Sequence, residues 1–468
     1  MQNKWLKWVI VLGCGLLVAV IPRPEGVTRE AWTLLAIFVA TIVGSIVQPM
    51  TGSAMVLLGV IATAVFGALK VEKSLSGYAD KYVWLVLAAF FISRAMIKTG
   101  LGHRIALIFV RLIGKRTIGL GYSLVFTDFI LASFVPSTGA RSGGIILPIA
   151  RSVAETYDSR PHDGTAGKLG TFLMTMLYQC EVILCATFLT GQASNLIIRS
   201  FAAEHAQIDM NYSTWFVSAI VPSLVSLTVI PLMIYKFFPP EVKETPNAVE
   251  FASEELRKLG PLSRPEKILL TVFVFVVGLW ISAPWHGIDA TVIALFGIAI
   301  LLILQVLDWS DVTNETNAWE VFIWYGGLLM MATALGETNL TKLFAESVSG
   351  LISGWSWPLA LIVLAVVYFY AAYGFASITA HVTAMFIPFL AVTIAAGAPA
   401  GLTVLVLTFF SNLSAGLTHY GTTPAPVYFG TGYVKQSNWW TVGLIASILN
   451  ILIWSTVGVG WWKILGWW

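Results

Sequence analysis

Charged side chains are scarce in this chain of 468 residues: Asp, Glu, Lys and Arg account for 11% of it, whereas 57% is hydrophobic. A water-soluble protein carries about 25% charged residues, so the composition excludes an ordinary soluble fold. The formal net charge of +3 is small, and the basic residues are dispersed between apolar runs. This dispersal excludes a nucleic-acid-binding surface and instead predicts a protein that crosses a membrane many times.

Cysteines are few and the common cofactor-binding motifs are missing. Cys14, Cys180 and Cys185 are too few, in too apolar a setting, for a disulfide framework or a zinc site. The sequence has no Walker motif, no glycine-rich dinucleotide loop and no cluster of metal ligands. The acidic and histidine residues inside apolar runs are too dispersed to make an intramembrane active site. We therefore expect a protein that is not an enzyme and that uses no cofactor or metal ion.

Eleven apolar runs suit a membrane crossing, for which about 20 residues are needed. They are 5–21, 31–47, 53–69, 82–97, 170–198, 213–236, 266–283, 288–306, 319–336, 402–434 and 440–461. The first run continues past Cys14 with no small-residue cleavage site, so we expect a transmembrane helix rather than a signal peptide.

Two further apolar stretches, 117–155 and 357–397, are nearly twice the length of a crossing and contain polar and small residues at their middle. Non-helical backbone at membrane depth is tolerated only inside protein or beside a water-filled cavity. Both stretches are therefore expected to be re-entrant helical hairpins. The predicted fold class is an all-α polytopic membrane protein with about eleven transmembrane helices and two re-entrant hairpins.

The distribution of lysine and arginine gives an orientation. Four basic groups, near residues 4–7, 98–116, 151–168 and 243–267, fall on one side if the N-terminus is cytoplasmic. Eleven crossings then place the C-terminus outside. Lys70 and Lys73 are exceptions to this rule, since they would lie outside.

The two hairpins belong to an internal repeat. An offset of 240 residues aligns segment 137–148 with segment 377–388, with Ser, Ala and Pro at matching positions. Each hairpin is followed by an apolar run that is interrupted by a polar, glycine-containing break, at 190–195 and at 418–424. Five crossings between the hairpins make them enter from opposite faces. Inverted repeats with discontinuous helices are typical of secondary transporters.

Hydroxyl-bearing and small residues occupy the hairpin tips and the helix breaks. Helix N-termini at such positions attract anionic groups, so we expect the substrate to be an anion that binds there. The candidate substrate-binding residues are Ser137, Thr138, Gly139, Ser194, Asn195, Ser377, Ile378, Thr379, Thr422, Thr423 and Pro424.

Arg141 and His381 each follow a tip serine by four residues, about one helical turn. A cation in the membrane costs about 2.5–3.5 kcal/mol and usually marks a substrate or ion pathway. Their equivalent places favour a shared role as positive counter-charges for the substrate, for which His381 must be protonated. Two alternatives remain open: Arg141 pairs with an acid such as Asp128 or Glu181, or His381 is an ordinary interior histidine.

The chain resembles the divalent anion/sodium symporter (DASS) family over nearly its whole length. The resemblance is strongest to the bacterial citrate/succinate and tartrate/succinate and the plastid 2-oxoglutarate/malate dicarboxylate exchanger branch. The segments that carry it are 136–144 (Pro-Ser-Thr-Gly-Ala-Arg-Ser-Gly-Gly), 375–381 (Phe-Ala-Ser-Ile-Thr-Ala-His), 417–421 (Leu-Thr-His-Tyr-Gly) and 432–435 (Gly-Tyr-Val-Lys). The Ser-Asn-Thr signature of the family differs here at Thr138, Gly139 and Ile378.

The resemblance implies a homodimer whose protomers carry the substrate by an elevator-like movement of a transport part against a scaffold. Residues 1–116 and 266–356 are then scaffold, 117–237 and 357–468 are the transport parts, and 238–265 form a solvated cytoplasmic linker. The implied partners are dicarboxylate or tricarboxylate anions and the lipid bilayer.

The implied activity is sodium-independent exchange of acids such as 2-oxoglutarate, malate, succinate, fumarate, citrate or tartrate across a bacterial cytoplasmic membrane. The alternative is sodium-coupled symport of the same anions, because sodium-coupled members of the family build sodium sites from the hairpin tip and the unwound helix. The Arg141 and His381 pattern resembles the exchangers, in which fixed positive charges take the place of sodium.

Overall fold

The computed structural model describes residues 4–338, 340, 343, 354–375 and 377–468. Within them the regular structure is helical, apart from one isolated β-bridge between Arg116 and Glu244. Ala376 of the second hairpin motif and most of 339–353, inside the predicted scaffold range, lie outside the described residues.

The first half contains α1 (Lys4–Val20), α2 (Arg29–Val47), α3 (Gly52–Val65), α4 (Val71–Leu75), α5 (Lys81–Thr99), α6 (Leu101–Ile113), α7 (Thr117–Ala132), α8 (Thr138–Arg141), α9 (Leu147–Thr156), α10 (Gly170–Thr187), α11 (Ser194–Ala206) and α12 (Tyr212–Phe237). The second half contains α13 (Pro246–Leu259), α14 (Arg264–Ile281), α15 (Ala283–His286), α16 (Ala290–Ile303), α17 (Trp309–Thr313), α18 (Thr316–Gly336), α19 (Trp357–Ala371), α20 (Ile378–Ala395), α21 (Ala400–Leu413), α22 (Pro424–Phe429), α23 (Gln436–Ile453) and α24 (Val459–Ile464).

Eight of the described helices are long and apolar enough to cross a membrane. Shorter apolar helices, such as Gly52–Val65 and Ala290–Ile303, occupy other predicted crossings. Every one of the eleven predicted runs contains a helix, so the prediction of an all-helical polytopic membrane protein is confirmed.

Both predicted hairpins turn at their predicted breaks. In the first, α7 ends at Ala132 and α8 begins at Thr138, then continues through a π-helical turn into α9. In the second, α19 is followed by a short 3₁₀ turn, and α20 begins at Ile378. The side chains of Ser137 and Ser377 cap the returning arms, since each hydroxyl accepts a hydrogen bond from the backbone three residues later at 3.2 Å.

The first helix break is stabilised by side chains that satisfy the carbonyls freed where α10 ends. Such groups are costly at membrane depth without a partner, because no water is available there. The Asn195 amide donates to the carbonyls of Cys185, at 2.8 Å, and Phe188, at 3.0 Å. Gly191 sits so close to Cys185 that a side chain at this position would meet the backbone at 2.7 Å.

The second break is stabilised from α10. The Tyr178 hydroxyl and the Gln179 amide donate to the carbonyls of Ala415 and Gly416, at 2.6 Å and 2.8 Å. Since α10 packs against α7, α12 and α21, it forms the centre of the predicted transport parts. Both breaks are therefore held beside one buried helix, the first at its end and the second nearer its middle.

The predicted linker 238–265 contains an element that sequence analysis did not assign, the helix α13. It packs against α6 through the fully buried Ala248 and Ala252. Two backbone bonds, Thr117 N–H to the Lys243 carbonyl at 3.0 Å and Thr245 N–H to the Lys115 carbonyl at 2.8 Å, fasten the linker beside the start of α7.

A buried ion pair joins α6 to α14. Arg104 Nε lies 2.6 Å from Glu266 Oε1, and the two side chains are 8% and 5% exposed. The same guanidinium donates to the carbonyls of Leu259 and Gly260 at the end of α13, at 3.3 Å and 2.7 Å. Arg104 thus holds α6, α13 and α14 together.

Replacing Arg104 with Met should lower the apparent thermal stability of the purified protein strongly, because Glu266 would remain buried without its partner. Breaking a buried pair on one side costs about 3–5 kcal/mol. The double variant R104M/E266Q removes the unpaired charge and keeps the Ser263 capping box, so it should recover much of the loss. Arg111→Met, an exposed position on the same helix, is the control for a simple loss of charge. Equal melting temperatures for R104M and R111M would contradict this assignment.

Candidate functional site

A cavity of about 490 Å³ brings the two hairpin tips and the two helix breaks together. Nine of the eleven predicted substrate-binding residues line it: Ser137, Thr138, Gly139, Ser194, Ser377, Ile378, Thr379, Thr422 and Thr423. The tips enter from different parts of the chain and converge here. The cavity is therefore the candidate substrate site.

Four helices begin at this cavity. α8 and α20 start at the hairpin tips, and α11 and α22 start at the helix breaks. A helix N-terminus has unpaired backbone N–H groups and a partial positive charge, which makes it suited to bind an anion. The first turn of α22 contains Pro424 and Pro426, which have no backbone N–H group, so most of the N–H donors belong to α8, α11 and α20. Three such termini at one cavity, with hydroxyl groups between them, form a site that favours a polyvalent anion.

Two predicted binding residues do not line the cavity. Asn195 is fully buried, because its amide is used to hold the end of α10. Pro424 is buried at the first position of α22, where its fixed φ angle suits a helix start. Both residues shape the breaks in this structure, and their direct contact with the substrate stays a prediction.

The two repeats contact one another at the cavity. A side chain at Gly139 of the first tip would lie 3.2 Å from Thr423 Cγ2 in the second break. Gln192, which lines the cavity and which sequence analysis did not select, donates its amide to Asn412 Oδ1 at 2.5 Å. Each break therefore contacts a residue of the other repeat.

Arg141 does not line the cavity. Its side chain is fully buried, with Nε 2.8 Å from Asp128 Oδ1 and Nη2 3.8 Å from Glu181 Oε1. Nη1 donates to the carbonyls of Val135 and Gly191, both at 2.7 Å. The alternative of an internal pair with Asp128 therefore describes its contacts in this structure, and its role as a counter-charge for the substrate stays a prediction.

His381 is also fully buried and outside the cavity lining. Its Nε2 lies 2.9 Å from the carbonyl of Tyr368, and its Nδ1 has no hydrogen-bond partner among the described residues. The ring packs against Tyr368 and Phe375. These contacts match a neutral imidazole with its proton on Nε2. The role of a protonated counter-charge stays a prediction.

The contacts of Arg141 and His381 confirm that the repeat extends to three dimensions. Each side chain reaches back to a residue thirteen positions earlier, Asp128 in one hairpin and Tyr368 in the other. The second repeat has the same spacing as the first, with a hydrogen bond to a carbonyl where the first has an ion pair.

The opposite wall of the cavity was not predicted from the sequence. It is formed by the end of α5 and the start of α18, which contribute the charged residues Arg94, Glu315 and Glu320. The sequence did contain a signal for Arg94, since it is a cation within the apolar run 82–97. Among the described residues, no group of three or more His, Cys, Asp or Glu side chains is placed to hold a metal ion.

Comparison with known proteins assigns the chain to a family. Residues 2–468 match the "Sodium:sulfate symporter transmembrane region". The chain is 47% identical to the "Putative malate transporter YflS" of Bacillus subtilis, covering 99% of this chain and 97% of that protein. It is 43% identical to "Dicarboxylate transporter 1, chloroplastic" of Arabidopsis thaliana, covering 98% and 82%. It is 30% identical to the "L-tartrate/succinate antiporter" of Shigella sonnei, covering 98% of each.

Among solved structures, the YdaH transporter of Alcanivorax borkumensis has a similar fold, with a TM-score of 0.55 and 13% identity over 99% of this chain and 98% of that one. At this identity the likeness concerns the fold alone. The sequence matches extend over the whole chain, including both hairpins and both breaks. The chain therefore belongs to the divalent anion/sodium symporter family, a family of membrane transporters and not of enzymes, as its tip and break motifs predicted.

Proposed function

We propose that the chain is a secondary active transporter that exchanges dicarboxylates or tricarboxylates across the bacterial cytoplasmic membrane. The observation that carries this proposal is the convergence of three helix N-termini, those of α8, α11 and α20, on one cavity. Their partial positive charges match the carboxylates of a small polyvalent acid. The names of the relatives, which specify malate, dicarboxylates, tartrate and succinate, support the same class of substrate.

The contacts of Arg141 favour exchange over sodium symport. Transporters that couple to sodium hold the ion with backbone carbonyls at unwound helices. In this chain the carbonyl of Val135 beside the tip and that of Gly191 in the break both accept hydrogen bonds from the Arg141 guanidinium. A fixed cation thus occupies carbonyls that a sodium ion would need. Sodium-coupled symport remains the alternative outcome of the transport assay below.

The position of the cavity favours an elevator mechanism. The tips and breaks belong to the predicted transport parts, 117–237 and 357–468, and the facing wall belongs to the predicted scaffold, 1–116 and 266–356. With a cytoplasmic N-terminus and an external C-terminus, the end of α5 and the start of α18 lie on the cytoplasmic side. The cavity is then open to the cytoplasm, and we expect the protein to work as a homodimer.

Purified protein in proteoliposomes should take up labelled dicarboxylate only when the vesicles are preloaded with an unlabelled acid. Removal of sodium should leave the initial rate unchanged within about twofold, because the carbonyls of Val135 and Gly191 already accept hydrogen bonds from Arg141. Vesicles without protein and vesicles without internal acid are the controls. Uptake into unloaded vesicles driven by a sodium gradient would establish symport instead.

Arg141→Gln should eliminate exchange and destabilise the protein, since Asp128 would remain buried without its partner at a cost of about 3–5 kcal/mol. The double variant D128N/R141Q contains no unpaired aspartate and should regain stability. If Arg141 also compensates substrate charge, this double variant should stay inactive. The measurements are the melting temperature and the exchange rate of each variant. Recovery of wild-type exchange by the double variant would show that Arg141 has only a structural role.

Replacing Ser137 or Ser377 with Leu should reduce substrate binding at least about tenfold, because the larger side chain would cover the helix N-terminus that faces the cavity. The matched controls are Ser137→Ala and Ser377→Ala, which lose the capping bond, worth about 1 kcal/mol, without adding bulk. The Ala variants should keep measurable exchange. Ligand-induced thermal stabilisation reports binding, and equal binding by the Ala and Leu variants would exclude these tips from the site.

A further inference from the structure

We propose that Arg94 forms an accessory carboxylate-binding site on the scaffold wall of the cavity, which the substrate contacts only when the cavity is open to the cytoplasm. This inference rests on the proposed exchange of dicarboxylates and adds to it a residue outside the hairpin tips and breaks. It predicts that the two faces of the membrane differ in their apparent affinity for the same acid.

Arg94 lies on α5 one turn before Lys98, near the end of the helix. Of the charged side chains that line the cavity within the described residues, it is the cation, and Glu315 and Glu320 are the acids. Its side chain is 40% exposed, in contrast to the fully buried Arg141. Arg94 is therefore the cationic side chain that a substrate in the cavity can reach directly.

The guanidinium of Arg94 has donors available for a ligand. Its nearest acid is Asp311, with Nε 3.5 Å from Oδ1, and it makes no hydrogen bond to another described residue. Asp311 is already engaged, because its Oδ2 lies 2.5 Å from Lys98 Nζ and accepts the backbone N–H of Asp308 at 2.9 Å. A guanidinium presents its donors in a planar fork that matches a carboxylate, and a pair of this kind is stronger than a neutral hydrogen bond.

The place of Arg94 in the fold makes its effect one-sided. α5 packs against α16 and α18, which are scaffold helices, whereas the hairpin tips belong to the transport parts. A scaffold residue does not travel with the substrate, so it contacts the acid on one face of the membrane only. The exposed Glu320 on the same wall repels a carboxylate, so the two residues should have opposite effects on affinity.

The experiment measures the KM for a labelled dicarboxylate from each side, with inside-out and right-side-out vesicles. Arg94→Gln should raise the cytoplasmic KM about three- to fivefold, the upper part of the range for an exposed charged pair, and leave the external KM within about twofold. Arg94→Lys should fall between Gln and the wild type. Arg111→Gln, which removes an exposed cation on the neighbouring helix away from the cavity, is the control and should change neither value.

Glu320→Gln provides a second, independent variant and should lower the cytoplasmic KM, because it removes a negative charge from the wall. An unchanged cytoplasmic KM for Arg94→Gln, equal changes on both faces, or the same change in Arg111→Gln would overturn the proposal. A rise in the cytoplasmic KM for Glu320→Gln would also overturn it. If wild-type protein exchanges no dicarboxylate on either face, the proposed function itself fails, and this result is distinct from normal exchange with an unchanged KM.

Discussion

The guanidinium of Arg141 is the contact on which the geometry of the first repeat depends. It joins one arm of the hairpin, through Asp128, to the backbone just before the tip and to the break that follows α10. In a membrane these groups have no water to bond with, so a single side chain with several donors can fix all three at once. Together with the hydrogen bond from the Thr190 hydroxyl to the Ala132 carbonyl at 3.1 Å, it holds the helix N-termini of the tip and the break toward one cavity.

In the second repeat, the buried groups of the hairpin are held by fewer hydrogen bonds and, among the described residues, by no ion pair. His381 supplies one bond to a carbonyl where Arg141 supplies three interactions, although both follow a capping serine and reach back by the same number of residues. Part of the missing support comes from α10, whose Tyr178 and Gln179 hold the second break. The pseudo-symmetric halves are therefore stabilised by different contacts, the first by an ion pair and the second by a neighbouring helix.

The positions of the hairpins and helix breaks could be predicted from the sequence. Polar and glycine residues inside an apolar run indicate irregular backbone, which a membrane protein tolerates only inside the protein or beside a water-filled cavity. Both hairpins, both breaks and nine residues of the cavity lining are identified in this way. The hydrogen bonds of Asn195 could not be predicted, because a buried amide can serve a carbonyl or a ligand equally well and only the three-dimensional path of α10 brings the carbonyls of its end to this side chain. The wall formed by α5 and α18 could not be predicted, since it depends on which distant helices face the tips. Arg94 shows this limit: its unusual position can be read from the sequence, but its neighbour Asp311 lies more than two hundred residues away.

The two backbone hydrogen bonds between residues 115–117 and 243–245 determine how segment 117–237 is connected to the rest of the chain. They place the start of the predicted transport part 117–237 beside the chain that follows its end. The helices on either side of this part, α6 and α13, pack together. A domain whose two connecting segments lie side by side can rotate about that one place without stretching either segment. A body attached at two distant points would have to lengthen one connection as it shortened the other. In the proposed elevator movement, α6 and α13 would therefore move together as one connection, and its length would limit the displacement of segment 117–237.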